Sequence, residues 1–136
     1  MKKTGASARR KGHYYERVIM HFFRDILGYK YCKTTRDTSG MLDSCKIDVN
    51  ITPDPVDLPM LVQVKAGYSN ARPKPDQIFR EMKEQLQHNF PKEHPIHTKP
   101  MLLVHKLDGR KEEDFIATMK WKDMKVLLKN CYELPR

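Results

Sequence analysis

Four polar residues in the first half of the chain, Glu16, Asp48, Gln63 and Lys65, have the types and spacing to hold a hard cation beside an anionic group. Two of them lie in "LVQVKAG", a run so apolar that an amide and an amine two residues apart require a reason. Side chains alternate across an extended strand, so Gln63 and Lys65 share one side with Leu61, while Met60, Val62, Val64 and Ala66 take the other. The run "KIDVNIT" follows the same rule, with Ile47, Val49 and Ile51 on a core side and Asp48 with Asn50 on a polar side. Joined by the proline-punctuated "PDPVDLP", the two runs predict an antiparallel hairpin. Symmetric pairing about that loop sets Asp48 opposite Gln63, with Cβ atoms about 4.5–5.5 Å apart. Two oxygens at that spacing can share one cation, and the Lys65 amine beside them can position charge.

Mg²⁺ prefers hard oxygen ligands and takes one or two carboxylates together with waters and phosphate, so a third oxygen donor is wanted. Glu16 supplies it: on a helical wheel it falls between Phe23 and Leu27, at the edge of an apolar stripe. Asp43 competes with Asp48 but sits in a loop-like segment, where its position is less fixed. The pairs His94/His97 and His13/His21 lack cysteines or acids at zinc-binding spacing.

These residues need elements to carry them. Tyr15, Val18, Ile19, Phe22, Phe23 and Ile26 repeat at helical spacing until Gly28 ends the pattern. Residues 29–45 begin as a short strand and become a loop rich in Thr, Ser, Asp and Gly. After the predicted hairpin, residues 67–75 form a loop, and Ile78, Phe79, Met82, Leu86 and Phe90 mark a second helix ending before Pro91. "MLLVHKL" predicts a buried strand, "DGR" a turn and "DFIATMKW" another strand. A last helix, "KDMKVLLKN", is expected to turn Met124, Leu127 and Leu128 inward. The order predicts an α/β (α+β) domain, a mixed sheet flanked by helices over 12–136, preceded by a flexible basic arm over 1–11.

With 136 residues the chain supports one core and not two. Its 26 Lys and Arg against 17 Asp and Glu give a formal net charge of +9, which attracts polyanions; nucleic acid leads and an anionic membrane surface follows. No run is apolar enough to span a bilayer and the basic N-terminus has no apolar segment behind it, so a cytoplasmic protein without a membrane association is expected. Cys32, Cys45 and Cys131 are odd in number and widely spaced, as reduced thiols would be.

Taken in order, "ARRKGHYYERVIMHFF", "TTRDTSG", "KIDVNI" and "LVQVKAG" resemble the signature of the PD-(D/E)xK nuclease superfamily, most closely its archaeal-type and phage Holliday-junction resolvases. There a basic turn leads into a helix carrying a Glu, a Ser-Gly loop follows, an Asp opens one strand, and an acidic-x-Lys motif lies on the next. Glu16 matches the helix glutamate, Ser39 the loop serine, Asp48 the strand aspartate, Gln63 the acidic position and Lys65 the lysine. Four short elements in order are moderately specific, where "QVK" alone is not. Gln63 departs from the commoner carboxylate; its amide oxygen still ligates a divalent ion, with one negative charge fewer.

The resemblance implies a restriction-endonuclease-like fold and a Mg²⁺-dependent endonuclease, with Mn²⁺ as a substitute metal, cleaving four-way DNA junctions as a homodimer in a bacterial, archaeal or phage-infected cell. It makes Glu16, Asp48, Gln63, Lys65 and Ser39 catalytic, with the Val64 carbonyl as a further metal ligand. Arg9, Arg10, Lys11, Arg17, Lys33, Arg36, Arg72 and Lys74 flank this set in sequence and are the candidate DNA contacts. Two alternatives stand beside it: another nuclease on the same scaffold, whether nicking, repair or restriction-like, and a DNA-binding module silenced by Gln63.

Overall fold

A computed structural model describes residues 5–68, 73–107, 109 and 111–131, with the backbone alone for 5–11, 37, 67 and 68. Helix α1 (Gly5–His21) runs into a single π-helical turn, Phe22–Ile26. Ile19 and Phe23 of its apolar stripe are buried together with Met20, while Phe22 and Ile26 of the same stripe are exposed. Gly28 stops it at φ 85°, a left-handed conformation open to glycine without strain. The helix starts earlier than the apolar stripe, so residues 5–11 are helical where an arm is expected. Ala, Arg and Lys in that segment are strong helix formers, and an existing helix extends through them at little cost. Residues 1–4 lie outside the described residues.

The segment expected to be a short strand and loop is more ordered than its composition suggests. It holds β1 (Lys33–Thr34), α2 (Thr35–Thr38) and α3 (Gly40–Ser44). Next come β2 (Val49–Asn50), β3 (Leu61–Tyr68), α4 (Pro75–Asn89), β4 (Met101–Leu107), β5 (Ile116–Thr118) and α5 (Trp121–Cys131). β1 and β2 form one antiparallel pair, with Thr34 opposite Val49. β3, β4 and β5 form a second sheet, parallel between β3 and β4 and antiparallel between β4 and β5. The protein is therefore a single mixed α/β domain, as expected, but with two sheets.

The predicted hairpin is the main correction. β2 gives its ladder to β1 and not to β3. Among the described residues one backbone bond joins the two expected partners near the polar residues: the Asp48 N–H donates to the Val62 carbonyl at 2.8 Å. The Asp48 carbonyl turns away and accepts from the Thr35 N–H at 3.1 Å. Two competing partners thus draw the strands apart at Asp48.

The core fills the space between these layers. Ile47, Val49, Ile51, Leu61 and Val62 are fully buried, packed with Phe79, Met82 and Leu86 of α4 and with Leu103 of β4. Each such side chain contributes about 1.5–3 kcal/mol through removal from water. α5 differs from expectation: Met124 and Leu127 are half-buried and Leu128 is exposed, along with Trp121 and Val126. β5, at three residues against the eight predicted, offers too small a bed for an inward-facing helix. The start of α5 is tied instead by Asp123, whose Oδ2 accepts the Met101 N–H at 3.1 Å. Among the described residues no helix is long and apolar enough to cross a membrane.

Candidate metal centre

The chain enters the site through a tight turn after α3. The Ile47 N–H donates to the Leu42 carbonyl at 3.1 Å, with Lys46 between them at φ 66°. A lysine in the left-handed region costs about 1–2 kcal/mol and persists only where its surroundings over-determine it. Thr35 does part of that work. Buried to 1% exposure, it donates through Oγ1 to the Ile47 carbonyl at 2.6 Å and through its N–H to the Asp48 carbonyl.

Held this way, Asp48 points its carboxylate across the gap to β3. Its Oδ2 accepts from the Val64 N–H at 2.7 Å and from Gln63 Nε2 at 3.0 Å. The side chain takes a strand N–H that a regular ladder would give to a carbonyl, while Oδ1 takes no hydrogen bond among the described residues. Burial pushes the Asp48 carboxyl up to about 7; the Glu16 and Asp43 charges add to the rise, and the Val64 N–H and Lys65 oppose it.

Glu16 is buried on α1, where a surface acid could equally have been expected. Arg36 of α2 grips it in a two-pronged contact, Nη2 to Oε1 at 3.0 Å and Nε to Oε2 at 3.3 Å. This revises the reading of Arg36, expected among the free DNA-contacting cations: its charge is committed to Glu16, which also raises its already high pKa. No spacing rule points to a contact between residues twenty positions apart.

Gln63 is 5% exposed, and with its amide nitrogen turned to Asp48 its Oε1 is buried without a hydrogen-bond partner. Asn50, two residues past Asp48, repeats the pattern: Nδ2 donates to Thr38 Oγ1 at 3.1 Å and Oδ1 is buried and unpartnered. An orphaned buried oxygen normally costs about 1–3 kcal/mol, so such atoms call for an external partner. The donor set on offer is two carboxylates and an amide oxygen, all hard, which suits Mg²⁺ or Mn²⁺. Among the described residues no three His, Cys, Asp or Glu side chains converge, so a centre here depends on the amide.

Lys65 lies half-buried on β3, paired in parallel register with His105 of β4. Val64 pairs with Val104 and spends its N–H on Asp48. Ser39 caps α3: its Oγ accepts the Leu42 N–H at 3.2 Å. Arg17, Lys33 and Lys74 are exposed, and the Lys33 ammonium lies 5.6 Å from the Tyr31 ring centroid. The side chains of Arg9, Arg10 and Lys11, and Arg72 entirely, lie outside what is described. Three of the four paired histidines have local partners: His94 caps a 3-10 turn, His97 donates to the Pro91 carbonyl, and His21 contacts Asp25, while the His13 Nε2 is buried without a hydrogen-bond partner among the described residues. The three thiols are free, with Cys32 and Cys45 buried. No protein-family model matches the chain, and comparisons with curated proteins and with solved structures yield no match either.

Proposed function

We propose that this chain is a Mg²⁺-dependent endodeoxyribonuclease of the PD-(D/E)xK type, with a restriction-endonuclease-like fold, that cleaves four-way DNA junctions as a homodimer. The observation that carries the reading is the corner where Asp48 accepts from Gln63 and Val64 while Gln63 Oε1 stays buried and unpartnered beside it. Glu16, Asp48 and Gln63 would hold the ion, with the Val64 carbonyl as a further donor. When bound, the ion lowers the pKa of a water and offsets charge on the phosphate. Lys65, next to Gln63 in the alternation, orients the attacking water and the scissile phosphate. Ser39 stands close in sequence to Arg36 and supports the loop. A junction presents two strands for symmetric cutting, which favours two sites related by a twofold axis. Arg17, Lys33 and Lys74 supply sequence-independent attraction to phosphates.

A second reading is favoured by Gln63 itself: a DNA-binding module with a silent site. Four-way junction and plain duplex incubated with Mg²⁺ or Mn²⁺ separate the two. Paired nicks at the branch point support the resolvase reading, whereas equal cutting of linear duplex overturns its specificity. Cleavage only after Gln63→Glu would establish the silent module. Lys65→Ala should abolish cutting while junction affinity stays within about tenfold, since phosphate contacts elsewhere supply most of the attraction.

A further inference from the structure

Along α4 runs a groove of about 880 Å³ that shares no residue with the Asp48 corner. Asp76, Phe79, Arg80, Lys83, Leu86 and Gln87, spaced as one face of a helix, form one side of it. Phe79 and Leu86 are buried beneath, while Arg80 and Lys83 are exposed. The segment after α4 and the start of α5 supply the remainder, giving six cations in all: Arg80, Lys83, Lys92, Lys99, Lys120 and Lys122.

Two acids accompany them, Asp76 and Asp123, and Asp123 is already engaged by the Met101 N–H. Among the described residues no carboxylate comes within ion-pair distance of Arg80, Lys83, Lys92, Lys120 or Lys122. Lys99 Nζ donates to the Val56 carbonyl at 2.7 Å, which fixes one ammonium at the rim with two donors left over. Like charges gathered in a concavity raise the local potential and focus it on an anion entering there.

From Asp76 to Gln87 the helix extends about 16 Å at 1.5 Å per residue. One nucleic-acid strand advances about 3.4 Å per phosphate, so this wall matches roughly five nucleotides. Five of the six cations are lysines, compact charges suited to phosphate and poor at the two-pronged reading of bases. A lipid surface is flat and fits a groove badly.

We infer that this groove binds the phosphodiester backbone of a nucleic-acid strand, as a second anchoring surface separate from the site of cleavage. The inference rests on the nuclease reading only for the source of the polyanion. The test uses the full chain and a fluorescent four-way junction, with anisotropy followed across a salt series in EDTA. Lys83→Gln with Lys122→Gln should lower the slope of log K against log salt by about 2 and weaken binding about tenfold at 0.1 M salt. The same charge change at Lys125 and Lys129, exposed residues of α5 outside the groove, should alter Kd less than threefold. Equal weakening by both pairs, or by neither, overturns the groove while leaving a protein that binds and cuts intact. Failure of the unaltered chain to bind the junction overturns both readings. Competition by polyglutamate at equal charge concentration overturns nucleic acid as the ligand, and salt-dependent self-association lost in the groove variant would reassign the surface to a second copy. Melting temperatures within a few degrees of the parent confirm that each variant is folded.

Discussion

Residues 47–51 alternate between two environments that are equally dry and chemically opposite. Ile47, Val49 and Ile51 are 0% exposed against hydrocarbon, while Asp48 and Asn50 are 8% and 4% exposed among amides, hydroxyls and a second carboxylate. The apolar side is complete in itself, since every surface it hides from water meets another hydrocarbon surface. The polar side is incomplete: burial raises the Asp48 carboxyl to about 7 with only one of its oxygens hydrogen-bonded, and an amide oxygen of Gln63 and another of Asn50 stand without partners. Burial therefore does not separate core from site in this protein. Completeness does.

The sharpest way to break this contrast is to hollow out the apolar side. Ile51→Ala, at a fully buried position of that side, should lower unfolding free energy by about 2–5 kcal/mol in a urea titration, with Mg²⁺ affinity of the folded fraction unchanged. A parallel loss of affinity would mean that the two sides are mechanically one. The polar side should respond in the opposite sense. Asp48 has a folded pKa of about 7 against 3.8 unfolded, so between those values the native state holds more protons and stability falls as pH rises. In chelator, the parent should lose on the order of a few kcal/mol between pH 4 and pH 7.5, at about 1.36 kcal/mol per unit. Asp48→Asn should be flat across that window, and an equally steep profile in the variant would move the titration to another group.

Arg36→Ala tests whether the site is held by an internal counter-ion. Arg36 is 39% exposed and Glu16 only 9%, so loss of the pair should destabilise by about 1–2 kcal/mol, less than for a fully buried partner. Added Mg²⁺ should narrow the gap to the parent, and an unchanged gap would place the ion away from Glu16. The smallest effect is expected at Ser39. Ser39→Ala should cost about 1 kcal/mol through the lost cap on α3, with cleavage within a few-fold. A hundredfold fall in cleavage at constant melting temperature would assign the hydroxyl to the reaction.

Alternation made legible the polar sides that carry Asp48 and Gln63, and the order of elements the mixed α/β class, although the hairpin register that set the two residues opposite each other does not form. The ladder behind their meeting was not legible. Periodicity says which side a residue faces, but the choice of β1 over β3 as the partner of β2 is made by Thr35, whose two bonds to 47 and 48 come from a segment that composition marks as loop. Thr, Asp, Ser and Gly favour turns when isolated, and here tertiary bonds convert them into two short helices and a strand. The grip of Arg36 on Glu16 was illegible for the same reason: nothing local brings α2 against α1. The exposed face of α5 shows the converse, an amphipathic pattern whose expected bed did not form.

The two oxygens of Asp48 divide one carboxylate into an anchored atom and a free one. Because Oδ2 is indexed to the β3 main chain at Val64, the lone pairs of Oδ1 are aimed by backbone position and not by a freely turning rotamer. Residues 52–60 join the two strands without taking part in that alignment. Of these, the exposed Pro53, Asp54 and Asp57 can change, through drift or by engineering, and leave the aim of the carboxylate untouched, provided Leu58 keeps its place in the core and Asp48 still meets Val64.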